Sequence, residues 1–142
     1  MAEFVTVDRA ERGIAVLRFA RAPLNRVDLQ LALELSAAAD ALALDDEVRA
    51  VVVYGDERIF SAGDDMSELA AWTPEQARAV AADLQDALGC LARVPQPTIA
   101  AISGYAVGAG LELALGADCR LIGDNVKLGL PGIHAGLIPV AG

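Results

Sequence analysis

Two glycine-containing segments hold the residues of this chain that could do chemistry. The first is FSAGDDM at 60–66 and the second is GYAVGAGLE at 104–112, and each follows a short run of apolar, strand-forming residues. Glycine permits left-handed backbone dihedrals and lets a ligand approach the main chain, so free N–H groups can point at one oxygen atom. Two such turns can together form an oxyanion hole, a pair of donors for a developing negative charge.

Each segment alone also has a purely structural interpretation. Gly63 can serve a tight turn, and Gly108 with Gly110 can serve close packing of a helix on a strand. The glycine spacing is also similar to the dinucleotide-binding pattern GxGxxG, which would need glycine where the sequence has Leu113. Nucleotide binding is therefore the weaker alternative.

Glu112 is the candidate general base. It lies one turn into a predicted helix whose other residues are mostly leucine and alanine, so an inward-facing carboxylate there would be partly desolvated. An exposed helix glutamate fits the periodicity equally well. His134 is the only histidine and has no partner ligands nearby in sequence, so it is interpreted as a surface or loop residue.

Composition excludes several classes of function. The net charge of −9 argues against binding nucleic acid or an anionic membrane, although Arg21, Arg26 and Arg58 could still hold a small anion. Cys90 and Cys119 lie far apart, with no metal-ligand spacing, and are predicted to be core residues in a reducing compartment. With no signal peptide or long apolar run, we expect a cytoplasmic protein without a metal site.

The elements that must position these segments follow an α/β pattern within a single domain spanning 1–142. The order is hairpin, helix, strand, helix, strand, helix, which hints at a strand–strand–helix unit used more than once. Asp28 is placed to cap the first helix, and TPEQ at 73–76 matches a capping box with proline in the first helical position. The predicted elements are strands at 4–8, 14–19, 48–54, 98–103, 119–122 and 126–128, and helices at 29–42, 74–93 and 111–115.

The pairing of the two segments, in this order, resembles the enoyl-CoA hydratase/isomerase (crotonase) family. The matching motifs are FSAGDDM at 60–66 and ISGYAVGAGLELA at 102–114, with LN at 24–25, DCR at 118–120, LPGI at 130–133 and GLIP at 136–139 also in place. The resemblance implies a spiral of ββα units, and the chain resembles the N-terminal portion of such a protein. It predicts a core that is incomplete at its C-terminus, without the helices that close the acyl pocket.

The resemblance also implies a site. The backbone N–H groups of Asp64 and Ala109 would hold the thioester oxygen of an acyl-CoA, the side chain of Asp64 would play no part, and Glu112 would be a catalytic carboxylate. No cofactor is implied beyond the coenzyme A of the substrate, and a homo-oligomer, a trimer or dimer of trimers, is expected. The residues expected to contact coenzyme A or the acyl group are Arg21, Leu24, Ala62, Gly63, Asp65, Met66 and Gly108.

Two positions depart from the family pattern. Hydratases of the family use a second glutamate where this chain has Gly132, and Val140 replaces a usual glycine. Hydration of a 2-enoyl-CoA is the leading hypothesis. The alternatives are double-bond isomerisation with a single base, another reaction of the family, a non-catalytic acyl-CoA-binding homologue, and a structural domain in which the two turns face away from each other.

Overall fold

The computed structural model describes residues 2–141. The elements are β1 Val5–Ala10, β2 Ile14–Phe19, α1 Leu29–Ala43, β3 Ala50–Tyr54, α2 Met66–Ala71, α3 Pro74–Leu88, β4 Thr98–Ile102, β5 Tyr105–Val107, α4 Ala109–Leu115, β6 Cys119–Ile122 and β7 Lys127–Gly129, with 3₁₀ turns at Glu11–Gly13, Cys90–Arg93 and Pro131–Ala135. These strands form one five-stranded sheet of order β1-β2-β3-β4-β6, in which the first pair is antiparallel and the others are parallel, and a two-stranded parallel sheet of β5 and β7.

Local sequence signals explain where the two long helices begin. The Asp28 carboxylate accepts a hydrogen bond from the Leu31 N–H at 2.8 Å, which caps α1 as predicted. At α3, Thr73 and Gln76 form the reciprocal capping box, with Pro74 in the first turn. The predicted continuation of α3 to Arg93 is wrong, because the α-helix ends at Leu88 and a 3₁₀ turn follows.

The core lies between the large sheet and helices α1, α3 and α4. Phe19 and Phe60 meet edge to face at its centre, with ring centroids 5.1 Å apart. Along β3 only Val51 and Val53 are fully buried, and Val52 between them is half-buried, so burial alternates along the strand. The prediction that both faces of this strand are buried is wrong.

The two cysteines differ from each other. Cys90 is buried as predicted, and burial raises the pKa of its thiol to about 12. The prediction that Cys119 is a core residue is wrong, because Cys119 lies on β6, the outer strand of the large sheet, and is exposed. Among residues 2–141 no helix is long and apolar enough to cross a membrane.

Candidate functional site

The first glycine turn, at 61–65, is fixed by a buried serine. The Ser61 hydroxyl donates to the Asn25 carbonyl oxygen at 2.6 Å and accepts from the Gly63 N–H at 3.0 Å. Gly63 has a φ of +85°, and a Cβ atom there would lie 2.6 Å from the Val107 carbonyl oxygen. Glycine is therefore required both for the left-handed conformation and for the close approach of the second turn.

The second turn holds a strand that the sequence pattern hides. β5 lies inside the segment predicted as a glycine-rich turn, and it is flanked by Gly104 at φ +57° and Gly108 at φ +50°. Helix α4 begins directly after Gly108. A Cβ atom on Gly110 would lie 2.4 Å from the Ser61 Cβ atom, so the absence of a side chain lets α4 pack directly on the first turn.

Backbone hydrogen bonds bring the two turns together. The Ser61 N–H donates to the Tyr105 carbonyl oxygen at 2.9 Å, and the Val107 N–H donates to the Ser61 carbonyl oxygen at 3.2 Å. This ladder sets the ends of both turns beside each other. The alternative in which the turns face away from each other does not describe this structure.

The two predicted oxyanion donors lie at this junction, and they differ in their hydrogen bonding. Within residues 2–141 the Asp64 N–H donates to no protein acceptor. The Ala109 N–H donates to Oδ2 of the Asp64 carboxylate at 3.2 Å. The resemblance predicts no role for the Asp64 side chain in binding the thioester oxygen. In the structure this side chain accepts the hydrogen bond of one of the two predicted donors.

Glu112 faces inward, with 8% of its surface exposed. Its Oε2 atom accepts hydrogen bonds from the Val140 and Ala141 N–H groups, both at 2.7 Å, which hold the carboxylate against the 130–141 segment. No hydrogen bond from the described residues reaches the other oxygen, Oε1. Two charge-assisted bonds to one oxygen fix the orientation of the side chain and leave the second oxygen available to a reactant.

A cavity of about 340 Å³ lies beside Glu112 and the junction of the two turns. Asp64, Gly108 and Glu112 lie on its wall, and Gly132 lines it from the 3₁₀ turn. Apolar side chains supply most of the remaining lining, which suits an aliphatic chain with a few oriented polar groups. These residues are Leu69, Trp72, Ala77, Ala81, Leu84, Leu130, Ile133, Leu137, Ile138, Pro139 and Val140.

Arg21, Leu24 and Asp65 line a separate surface cavity of about 440 Å³. The Arg21 guanidinium forms ion pairs with the Asp28 and Asp65 carboxylates, each at 2.9 Å. Its charge is therefore already paired within the protein. The Ser67 hydroxyl and then Arg21 hold the pKa of the Asp65 carboxyl below its usual range.

The other predicted residues divide between the two turns and the surface. The Ala62 N–H donates to the Leu24 carbonyl oxygen at 3.0 Å, and Met66 is exposed at the start of α2. The side chains of Arg26, Arg58 and His134 are exposed and do not line the cavity that contains Glu112. Within residues 2–141 no three His, Cys, Asp or Glu side chains are grouped so that they could hold a metal ion.

Sequence reasoning missed two positioning residues, Asn25 and Ser61. Asn25 is 1% exposed, has a φ of +47°, and donates from its side-chain amide to the Ile59 and Phe60 carbonyl oxygens at 3.4 and 3.3 Å. It accepts from the Arg21 N–H at 2.8 Å and from the Ser61 hydroxyl. The signal available in the sequence was a small polar residue in two of the family motifs, Asn25 in LN at 24–25 and Ser61 in FSAGDDM at 60–66.

Comparison with known proteins gives consistent matches. The model of the enoyl-CoA hydratase/isomerase family matches residues 9–142. The probable enoyl-CoA hydratases EchA17 of Mycobacterium avium and Mycobacterium tuberculosis are each 48% identical over 141 residues, covering 96% of this chain and 55% or 54% of the relative. This chain thus spans about half the length of the curated relatives it matches.

Solved structures show the same fold. DspI of Pseudomonas aeruginosa superposes with a TM-score of 0.90 at 34% identity, covering 97% of this chain and 57% of DspI. An enoyl-CoA hydratase of Bacillus anthracis superposes with a TM-score of 0.90 at 31% identity, covering 99% of this chain and 55% of that one. The predicted crotonase-like α/β fold is confirmed. The chain belongs to the enoyl-CoA hydratase/isomerase family.

Proposed function

We propose that this chain carries the thioester-binding part of an enoyl-CoA hydratase, in which the N–H groups of Asp64 and Ala109 bind the thioester oxygen. The observation that supports the proposal is the junction of the two turns, where Asp64 and Gly108 line the same cavity as Glu112 and Ala109 directly follows Gly108. Backbone donors held by a rigid ladder need no reorganisation when charge develops on the oxygen, and the loss of one such donor typically costs about 2.7–4 kcal/mol.

The reaction would add water across the C2–C3 double bond of a 2-enoyl-CoA. Glu112 Oε1 accepts a proton from water as the hydroxyl oxygen bonds to C3, and the electrons of the double bond move onto the thioester oxygen. The resulting enolate is stabilised by the two N–H groups. The proton then passes from Glu112 to C2, which completes the addition with one carboxyl group acting first as base and then as acid.

Gly132 defines what this site lacks. It lines the cavity and has no group that transfers a proton. A Cβ atom at Gly132 would meet Leu137 Cβ at 3.3 Å and no backbone atom closer than 3.7 Å, so the main chain leaves room for a Cβ atom after a small adjustment of Leu137. We therefore expect slow hydration in the natural sequence and faster hydration in Gly132→Glu, by up to the 10²–10⁴-fold typical of one acid–base group.

The test is turnover of crotonyl-CoA by the naturally encoded protein, followed as the loss of the conjugated-thioester absorbance. Glu112→Gln should lower the rate roughly 10²–10⁴-fold while leaving the affinity for butyryl-CoA nearly unchanged. Asp46→Ala, which removes an exposed carboxylate beyond the end of α1, is the matched control. Absence of turnover in both the natural protein and Gly132→Glu would refute the hydratase proposal.

The same assays separate the other candidates. Conversion of a 3-enoyl-CoA to a 2-enoyl-CoA that is lost in Glu112→Gln would indicate an isomerase, and calorimetric binding without any product would indicate a binding protein. The chemistry described uses only coenzyme A within the substrate and no separate cofactor. The single domain over 1–142, the cytoplasmic location and the trimeric or hexameric assembly stay predictions, and light scattering of the purified protein measures the last.

A further inference from the structure

The side chain of Asp64 does something that the family resemblance does not predict. Its Oδ2 atom accepts the hydrogen bond of the Ala109 N–H at 3.2 Å, and the Asp64 N–H has no acceptor within residues 2–141. One of the two donors assigned to the thioester oxygen is therefore free, and a carboxylate occupies the other.

Gly108 makes room for this carboxylate. A Cβ atom at Gly108 would lie 2.5 Å from Asp64 Oδ2, which is closer than non-bonded atoms approach, so any larger residue would displace the carboxylate. Asp64 and Glu112 both line the cavity of about 340 Å³. Asp64 therefore lies on the wall of the space that the acyl group would enter, and not on an unrelated surface.

We propose that the Asp64 carboxylate and the thioester oxygen are mutually exclusive ligands of the Ala109 N–H, so that Asp64 sets the affinity of the site for acyl-CoA. This inference rests on the proposed function. One N–H makes one well-aligned hydrogen bond, and a charged acceptor binds it more strongly than a neutral carbonyl oxygen does. The Asp64 side chain must therefore rotate away before the thioester can be polarised.

Charge adds to the competition. A carboxylate that stays near the thioester oxygen repels the negative charge that develops there, because both lie beside a largely apolar wall where charges are poorly screened. Removing the carboxylate while keeping the backbone N–H of residue 64 should improve both the binding of the ground state and the stabilisation of the enolate. A purely structural role for Asp64 predicts the opposite change.

The experiment measures calorimetric affinity for butyryl-CoA, a saturated thioester that cannot be hydrated, in the naturally encoded protein. Asp64→Ala removes the competing carboxylate, Asp64→Asn keeps its size without its charge, and Asp46→Ala removes an exposed charge elsewhere. We expect about tenfold tighter binding in Asp64→Ala, which corresponds to losing one charge-assisted hydrogen bond. A smaller gain is expected in Asp64→Asn and no change in Asp46→Ala.

A second measurement does not depend on the ligand. In the unliganded protein, the Ala109 amide proton resonance should move upfield in Asp64→Ala, because its hydrogen bond to a carboxylate is lost. Unchanged or weaker butyryl-CoA binding in Asp64→Ala would overturn the inference, as would an unmoved Ala109 resonance. A lower kcat with crotonyl-CoA and no gain in affinity would also overturn it, by assigning Asp64 to proton transfer.

These outcomes are distinct from failure of the proposed function. If no variant binds butyryl-CoA, the proposed function fails and this inference fails with it. If the natural protein binds and Asp64→Ala binds no better, only the inference fails. Asp64→Asn keeps the test decisive if Asp64→Ala does not fold.

Discussion

Substitution of Gly110 by alanine tests how the two turns are held together. The added Cβ atom would lie 2.4 Å from Ser61 Cβ and 2.6 Å from Ser61 Oγ, against an ordinary contact distance of about 3.5–4.0 Å. Ser61 cannot move aside freely, because its hydroxyl joins Asn25 to Gly63. The strain must therefore fall on the packing of α4 against the first turn.

The magnitude follows from two opposing terms. Overpacking of a well-packed interior costs typically 1–3 kcal/mol, and the near-backbone position of this overlap favours the upper end. Alanine is about 1 kcal/mol better than glycine inside a helix, which offsets part of the cost. We expect a net loss of about 2 kcal/mol in the free energy of unfolding, equivalent to roughly 8 °C in Tm for a chain of this size.

The assay is urea unfolding followed by circular dichroism, with kcat/KM for crotonyl-CoA measured beside it. Gly129→Ala is the matched control, because a Cβ atom there meets nothing within 4 Å and the free energy of unfolding should change by less than about 1 kcal/mol. kcat/KM should fall in Gly110→Ala, since displacement of α4 moves the Ala109 N–H away from the first turn. Equal stability of the two variants would refute this account of how the turns pack.

Three further predictions concern groups outside the cavity. The exposed Cys119 should react quickly with a thiol-reactive reagent. Cys90 should react only after unfolding, because burial raises the pKa of its thiol to about 12. Equal reaction rates in the native protein would contradict this prediction. Hydrogen bonds from Thr98 lower the pKa of Asp118 in the folded protein. The contribution of this carboxylate to stability is therefore complete above the pKa of the unfolded chain, about 3.9, and is lost as the pH falls through the folded pKa. Unfolding measured against pH should therefore show a shallower acid limb in Asp118→Asn, and an identical limb would refute that role. The Glu34 carboxylate accepts hydrogen bonds from the N–H groups of residues 3–5. Glu34→Ala should therefore lower the free energy of unfolding by about 1 kcal/mol and speed amide hydrogen exchange at residues 3–5. Unchanged exchange would show that these contacts contribute nothing.

Much of the fold could be predicted from local signals. The hairpin, the Asp28 cap and the capping box at Thr73 each depend on residues close together in sequence, and all three are confirmed. β5 was missed because three residues between two glycines give too little periodicity to mark a strand. Cys119 was misplaced because burial of an outer strand depends on what packs beside it, which its own residues do not encode.

The site divides in the same way. The two glycine turns could be recognised because left-handed backbone and close approach require glycine at specific positions, as Gly63 and Gly108 show. The contact between the Asp64 carboxylate and the Ala109 N–H joins residues 45 positions apart, so only the folded arrangement reveals it. Likewise, only the folded arrangement reveals the hydrogen bonds that the Val140 and Ala141 N–H groups donate to the Glu112 carboxylate.

The role proposed for the N–H groups of Asp64 and Ala109 is to polarise a thioester carbonyl. The most direct measurement is the infrared stretch of the carbonyl of crotonyl-CoA bound to the protein, isolated by ¹³C labelling at that carbon. Two donors that pull electron density onto the oxygen weaken the C=O bond, so the stretch should shift to lower frequency than in free crotonyl-CoA, and further in Asp64→Ala. A bound carbonyl with the frequency it has in water would contradict the claim.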